Sequence, residues 1–147
     1  MLHQLSLFLE NRPGQLRAPC EALGKAGIDI LTMSLADTAQ FGILRLVVRD
    51  WTRAKEVLER AGSVVNVAEL VPLEVEDRPG GLAAALAAIE EAGLGVEYMY
   101  AFAVGPRPGK AAILFRFEEM DRAVAAVRAK GLRVIDPEEL LASRASA

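Results

Sequence analysis

The chain has 147 residues with a formal net charge of −3, and 52% of them are hydrophobic. That apolar share excludes intrinsic disorder, because burial can offset the entropy of ordering, and the length fits one ordinary domain or two small ones. The acidic balance argues against nucleic acid or an anionic membrane as a partner, since both demand a basic patch.

In chain order, Leu5, Leu7 and Leu9 alternate with Gln4, Ser6 and Phe8, the period of a strand with one apolar face. Pro13-Gly14 then opens a helix, because proline's fixed φ suits the first helical position. Leu16, Cys20, Leu23 and Gly27 follow at helical spacing, and Ala26-Gly27 ends the helix. Pro19 falls inside it and costs stability unless it stands in the first turn. Strands are expected from Ile28 to Leu35 and from Ile43 to Val48, with a turn between them that includes Thr38. A second helix starts at Trp51 and carries Ala54, Val57, Leu58 and Ala61, and a short strand follows at Val64-Val65.

The order then recurs. Val71, Leu73 and Val75 form a strand, and Pro79-Gly80 opens a helix with Leu82, Ala85, Leu86, Ile89 and Ala92 on its face. Strands from Leu94 to Phe102 and Ala112 to Phe117, a helix with Ala123, Val124 and Val127, and a strand from Leu132 to Ile135 complete the copy. Asp136-Pro137-Glu138-Glu139 reads as an N-cap, a proline at the first helical position and a glutamate at the third, opening a terminal helix.

The recurrence is one of residues as well as of pattern. Asn11-Arg12-Pro13-Gly14-Gln15-Leu16 is matched 66 residues later by Asp77-Arg78-Pro79-Gly80-Gly81-Leu82, and Ala26-Gly27-Ile28-Asp29-Ile30 by Ala92-Gly93-Leu94-Gly95-Val96. After a loop three residues longer in the second half, Leu44, Leu46 and Val48 match Ile113, Phe115 and Phe117, and Arg53-Ala54 matches Arg122-Ala123. The chain therefore divides into two homologous modules, residues 1–68 and 69–147, joined near Ala68 to Leu70 without a Pro/Gly/Ser linker. The fold class is α+β: two ferredoxin-like βαββαβ modules in tandem, each an antiparallel sheet with helices on one face. The other face, with Phe8, Val47, Tyr98 and Tyr100, stays open. Half-apolar faces and bare sheet edges predict packing on a sister module or a second chain, hence a homodimer.

The repeated loop suits a free amino acid. A helix N-terminus offers unpaired N–H donors to the carboxylate, Gly14 and Gly80 permit close approach to the backbone, and Asn11 or Asp77 accepts from the ammonium. The alternative is that Asn11 and Asp77 are local caps and Pro-Gly only makes a turn. His3 and Cys20 read as structural residues; one histidine and one cysteine leave no triad, zinc site or disulfide framework within the chain. The apolar run from Leu82 to Ile89 is too short for a bilayer, and Met1 to Ser6 shows no basic segment of a signal peptide. The expectation is a soluble, cytoplasmic, non-enzymatic protein without metal or cofactor.

The two loops in register, Ala26-Gly27-Ile28-Asp29-Ile30 and Phe41-Gly42-Ile43 together resemble the ACT domain family, small βαββαβ modules that bind amino acids and regulate metabolic enzymes. The whole chain is similar to stand-alone tandem members of that family. The resemblance implies ligand binding by Asn11, Arg12, Pro13, Gly14, Gln15 and Leu16, by Asp29 of the second strand contributed across modules, and by Asp77, Arg78, Pro79, Gly80, Gly81 and Leu82. Where serine-binding members carry a histidine before the loop, this chain has Leu9 and Val75; where they carry a second-strand asparagine, it has Asp29 and Gly95. The ligand's identity therefore does not transfer. The rival reading is an interaction subunit of a metabolic enzyme, such as a branched-chain synthase, with little ligand binding of its own. RNA-recognition modules and metal chaperones share the topology, but the first module lacks aromatic residues in its third strand and the chain lacks paired cysteines.

Overall fold

The computed structural model describes residues 1–37 and 40–145; Thr38, Ala39, Ser146 and Ala147 lie outside the described residues. The chain forms two compact units, His3–Ala68 and Met1–Leu2 with Glu69–Ala147.

The N-terminal unit contains β1 (Leu2–Glu10), α1 (Arg17–Lys25), β2 (Thr32–Asp37), β3 (Phe41–Val47), α2 (Trp51–Arg60) and the first residues of β4 (Val65–Glu76). Its sheet runs β2-β3-β1, antiparallel throughout, with Leu44 facing Leu7 on one side and Leu35 on the other. The strand period therefore sends Leu5, Leu7, Leu9, Leu44 and Leu46 to the helix side, where they form a core with Leu23, Ala54 and Leu58. Trp51 starts α2 as expected, stacked on the His3 ring at 4.6 Å, and Asp50 caps that helix by accepting from the Arg53 amide at 3.0 Å.

Helix α1 begins at Arg17, later than Pro13-Gly14 suggests. Pro19 is the reason: with this start it is the third helical residue, where no intrahelical N–H bond is lost. The counterpart helix of the second unit, which has no such proline, begins directly after Pro79-Gly80. Strand β2 starts at Thr32, not Ile28, because the Ile28 amide closes the helix end on the Leu23 carbonyl at 2.9 Å. Ile28 and Ile30 pack against the core as the chain crosses from helix layer to sheet.

The C-terminal unit contains the rest of β4, α3 (Gly81–Glu91), β5 (Val96–Ala101), β6 (Lys110–Phe117), α4 (Met120–Ala129) and α5 (Pro137–Ala145). Strand β6 pairs antiparallel with β4 and with β5, and Val71, Leu73, Phe115 and Phe117 meet Ile89, Ala123 and Val127 of the helices. The two strands expected at Val64-Val65 and Val71 to Val75 are one continuous strand, β4. The final strand expected from Leu132 to Ile135 is reduced to a single bridge, Leu73 to Val134. It ends so soon because Asp136 already caps α5, accepting from the Glu138 amide at 2.8 Å.

The repeated arginines do the same task in each unit. Arg53 donates to the carbonyl of Ala26 at 2.7 Å, and Arg122 to those of Ala92 and Gly93, so each second helix closes the C-terminal end of the first. The face expected to stay open carries an ion network in the C-terminal unit. Glu74, pointing away from the core, accepts from Arg107 of the β5–β6 loop and from Arg133, and Arg133 also pairs with Glu139 of α5 at 2.7 Å. The Arg107 hydrogen bond, with the charges of both arginines, holds the Glu74 carboxyl below the usual carboxylate range. Among the described residues, no helix is long and apolar enough to cross a membrane.

Candidate functional site

The β1–α1 loop of the N-terminal unit is built by four backbone contacts. The Asn11 amide donates to the Gln40 carbonyl at 3.1 Å, tying the loop to the chain between β2 and β3. The amides of Arg12, Gln15 and Ala18 donate to the carbonyls of Glu10, Arg12 and Gly14. Gly14 turns the chain with φ +89°, a conformation that favours glycine. The amides of Gly14, Leu16 and Arg17 take part in none of the loop's backbone bonds among the described residues, as expected of a helix start.

Below this loop lies an open pocket of about 190 Å³, lined by Leu9, Glu10, Asn11, Arg12, Leu16, Leu35 and Gly42. Its rim is polar and charged: Arg12 pairs with Glu10 at 2.7 Å, both exposed, and Asn11 stands between them in the chain. Its walls are apolar. Leu9 and Gly42 are buried opposite each other in the β1–β3 ladder, while Leu16 and Leu35 remain 42% and 48% exposed. A free α-amino acid is a zwitterion, so a rim holding both a guanidinium and a carboxylate offers a partner to each of its charged groups.

Of the residues singled out in the N-terminal loop, Asn11, Arg12 and Leu16 line the pocket; Pro13, Gly14 and Gln15 form the turn outside it. A Cβ on Gly14 would meet nothing within 4 Å. Asp29 precedes Thr32, which pairs with Val47, whereas the loop lies at the Gly42 end of β3, roughly 16 Å along the strand. Within its own unit Asp29 therefore stands at the opposite end of the sheet from Asn11. Glu10, Leu35 and Gly42 also line the pocket, although no motif of the sequence marks them for it. The available signal was period-two spacing: Leu35 opposite Leu44 puts its side chain on the helix side, next to the one third-strand position without a side chain.

The second loop repeats the backbone and changes the side chains. The amides of Asp77, Arg78, Gly81 and Ala84 donate to Gly109, Glu76, Arg78 and Gly80, and Gly80 has φ +85°. Asp77, Arg78, Pro79 and Leu82 thus hold the places of Asn11, Arg12, Pro13 and Leu16. Ala101 and Ala111, however, stand where Leu35 and Gly42 stand, and Lys110 replaces Phe41 opposite the strand-end glutamate. Lys110 hydrogen-bonds Glu76 and holds its carboxyl below the usual range, so the strand-end carboxylate of this loop has its cation across the strand where Glu10 has Arg12 of its own loop. Gly81 is locked in place: a Cβ there would lie 1.9 Å from the Glu76 carbonyl oxygen.

The described residues contain no cluster of three or more His, Cys, Asp or Glu able to hold a metal ion. The family model described as an ACT domain pair matches residues 1–143. Among solved structures, the chain is similar to protein BT0572 from Bacteroides thetaiotaomicron: 32% identity, 95% of this chain and 94% of that one covered, TM-score 0.85. It shares its fold with the regulatory subunit of aspartate kinase from Thermus thermophilus, at 17% identity, 87% and 89% coverage and TM-score 0.65. The same holds for that subunit from Thermus flavus, at 18% identity, 89% and 92% coverage and TM-score 0.62. No curated protein sequence matches the chain. With the matched model spanning both repeats and both loops, the chain belongs to the ACT domain pair family.

Proposed function

We propose that this chain is a regulatory protein that senses a free amino acid at the β1–α1 loop of its N-terminal unit. The observation that carries the reading is the charged rim of Glu10, Asn11 and Arg12 above an apolar pocket, at the start of a helix. The rim supplies a carboxylate and a guanidinium to the ligand's two charged groups, and the helix start adds N–H donors beside the carboxylate. A ligand of about ten non-hydrogen atoms held largely by polar contacts implies a Kd from roughly 10 μM to 1 mM, or about 4 to 7 kcal/mol. Calorimetry of the full chain with each of the twenty amino acids is expected to give binding in that range for at least one. Silence at millimolar concentration for all of them would refute the reading.

The partner is a second copy of the chain. Strand β2 is the outer strand of its sheet and leaves Met33 and Leu35 exposed on the helix side, and such edges are seldom left bare. Light scattering at micromolar concentration is expected to give twice the 15.8 kDa chain mass; a monomer would contradict this. In such an assembly Asp29 can reach a loop only from another module, where it would add a second carboxylate to the ammonium side. The rival function, an interaction subunit of a metabolic enzyme, is favoured by one feature: Phe8, 66% exposed, and Phe41 form an aromatic pair at 6.1 Å on the face away from the helices. Co-purification with an enzyme, together with silence in calorimetry, would favour it.

A further inference from the structure

We infer that the pocket of the N-terminal unit selects an amino acid with an aliphatic side chain; this rests on the amino-acid reading above and adds the substrate class. Glu10, Asn11 and Arg12 are consecutive at the rim, where they match the ammonium and carboxylate common to every amino acid and cannot distinguish one from another. Discrimination is left to the walls, and among the described residues these are Leu9, Leu16, Leu35 and Gly42. Among the described residues, no wall side chain carries a donor or acceptor. The Gly42 backbone is committed as well, because β3 lies between β1 and β2 and Gly42 pairs with Leu9 on one side and Asp37 on the other. A serine, aspartate or lysine side chain entering there would give up water without gaining a partner. An aliphatic chain gives up nothing, and each methylene it buries raises affinity by about fourfold.

Gly42 makes the room. A Cβ on it would lie 3.3 Å from Leu35 Cδ1, tighter than ordinary contact, so a larger residue there takes the space of the ligand's side chain. The second unit carries Ala101 and Ala111 at the Leu35 and Gly42 positions and Val75 at the Leu9 position, which thins the wall and raises the floor. The aliphatic selection therefore belongs to the N-terminal loop.

The test is a calorimetric ranking on the full chain, using leucine, isoleucine and methionine against serine, aspartate and lysine. The aliphatic set is expected to bind at least tenfold more tightly. Gly42→Val is expected to weaken leucine binding at least tenfold with the melting temperature preserved. Should that variant fold poorly, Leu35→Ser on the exposed edge strand is expected to narrow the difference between leucine and serine. If serine, aspartate or lysine binds most tightly, the aliphatic selection is overturned while the amino-acid reading stands. If no amino acid binds, both fall. Leucine affinity unchanged in both variants would also overturn the proposal, because the walls would then not be what the ligand touches.

Discussion

Gly81→Ala is expected to destabilise the chain by about 3 kcal/mol, while Gln15→Ala at the matching place of the first loop changes stability by less than about 0.5 kcal/mol. The two positions correspond in sequence and in backbone bonding: the Gln15 amide donates to Arg12 and the Gly81 amide to Arg78. They differ in what surrounds the side chain. A methyl group on Gly81 would stand 1.9 Å from the Glu76 carbonyl oxygen and 3.1 Å from the Glu76 Cβ. The obstacle is strand backbone at the end of β4, which cannot rotate away as a flexible side chain can. Relief requires α3 to move off the strand, with loss of packing around buried Ala85 and Ile89. Gln15 escapes this because α1 begins only at Arg17, with a turn between Gly14 and the helix. Thermal melts of both variants check the contrast, with a fall of about 10 °C expected for Gly81→Ala. A fall of under about 2 °C would mean that the loop relaxes without disturbing the helix.

Gly14→Val is expected to weaken amino-acid binding at least tenfold, whereas Gly80→Val leaves it intact. The glycines are conformational equals, at φ +89° and +85°, and a Cβ added to either would meet nothing within 4 Å. A β-branched residue there is opposed by the backbone alone, at a cost of about 1–3 kcal/mol. Relaxing that strain moves Arg12, whose carbonyl receives the Gln15 amide across the turn, and with it the ion pair to Glu10. The consequence for binding differs because the loops differ. Asn11 is neutral and the pocket beneath it has leucine walls; Asp77 is anionic, and alanines stand at the Leu35 and Gly42 positions. The pair of variants separates strain from site, since both carry the same strain. Loss of the binding on changing Gly80 alone would assign the site to the second loop.

The two-module architecture was legible because its causes are local and repeated. Period-two leucines make β1 one-sided, Pro-Gly turns the chain at both loops, and Asp136 with Pro137 starts α5, all through interactions within a few residues. The internal match of Arg53 with Arg122 marked a shared task before its chemistry was visible: each guanidinium closes a helix end about thirty residues earlier in the chain. Element ends were less legible, because competing bonds set them. Ile28 spends its amide on the end of α1 and so delays β2, and the capping of α5 leaves only Val134 of an expected strand.

The sequence by itself determined the modules, the order of their elements and the loop that bears Asn11 and Arg12. Only the tertiary structure decided what the loop faces. Glu10 meets Arg12, and Leu9, Leu16, Leu35 and Gly42 converge beneath them from three strands and a helix start. Asp29 stays at the far end of the same sheet. The physical reason is register: backbone pairing between β1, β2 and β3 brings Leu35 and Gly42 to the loop and carries Asp29 away, and no local pattern encodes which residues of distant strands stand side by side.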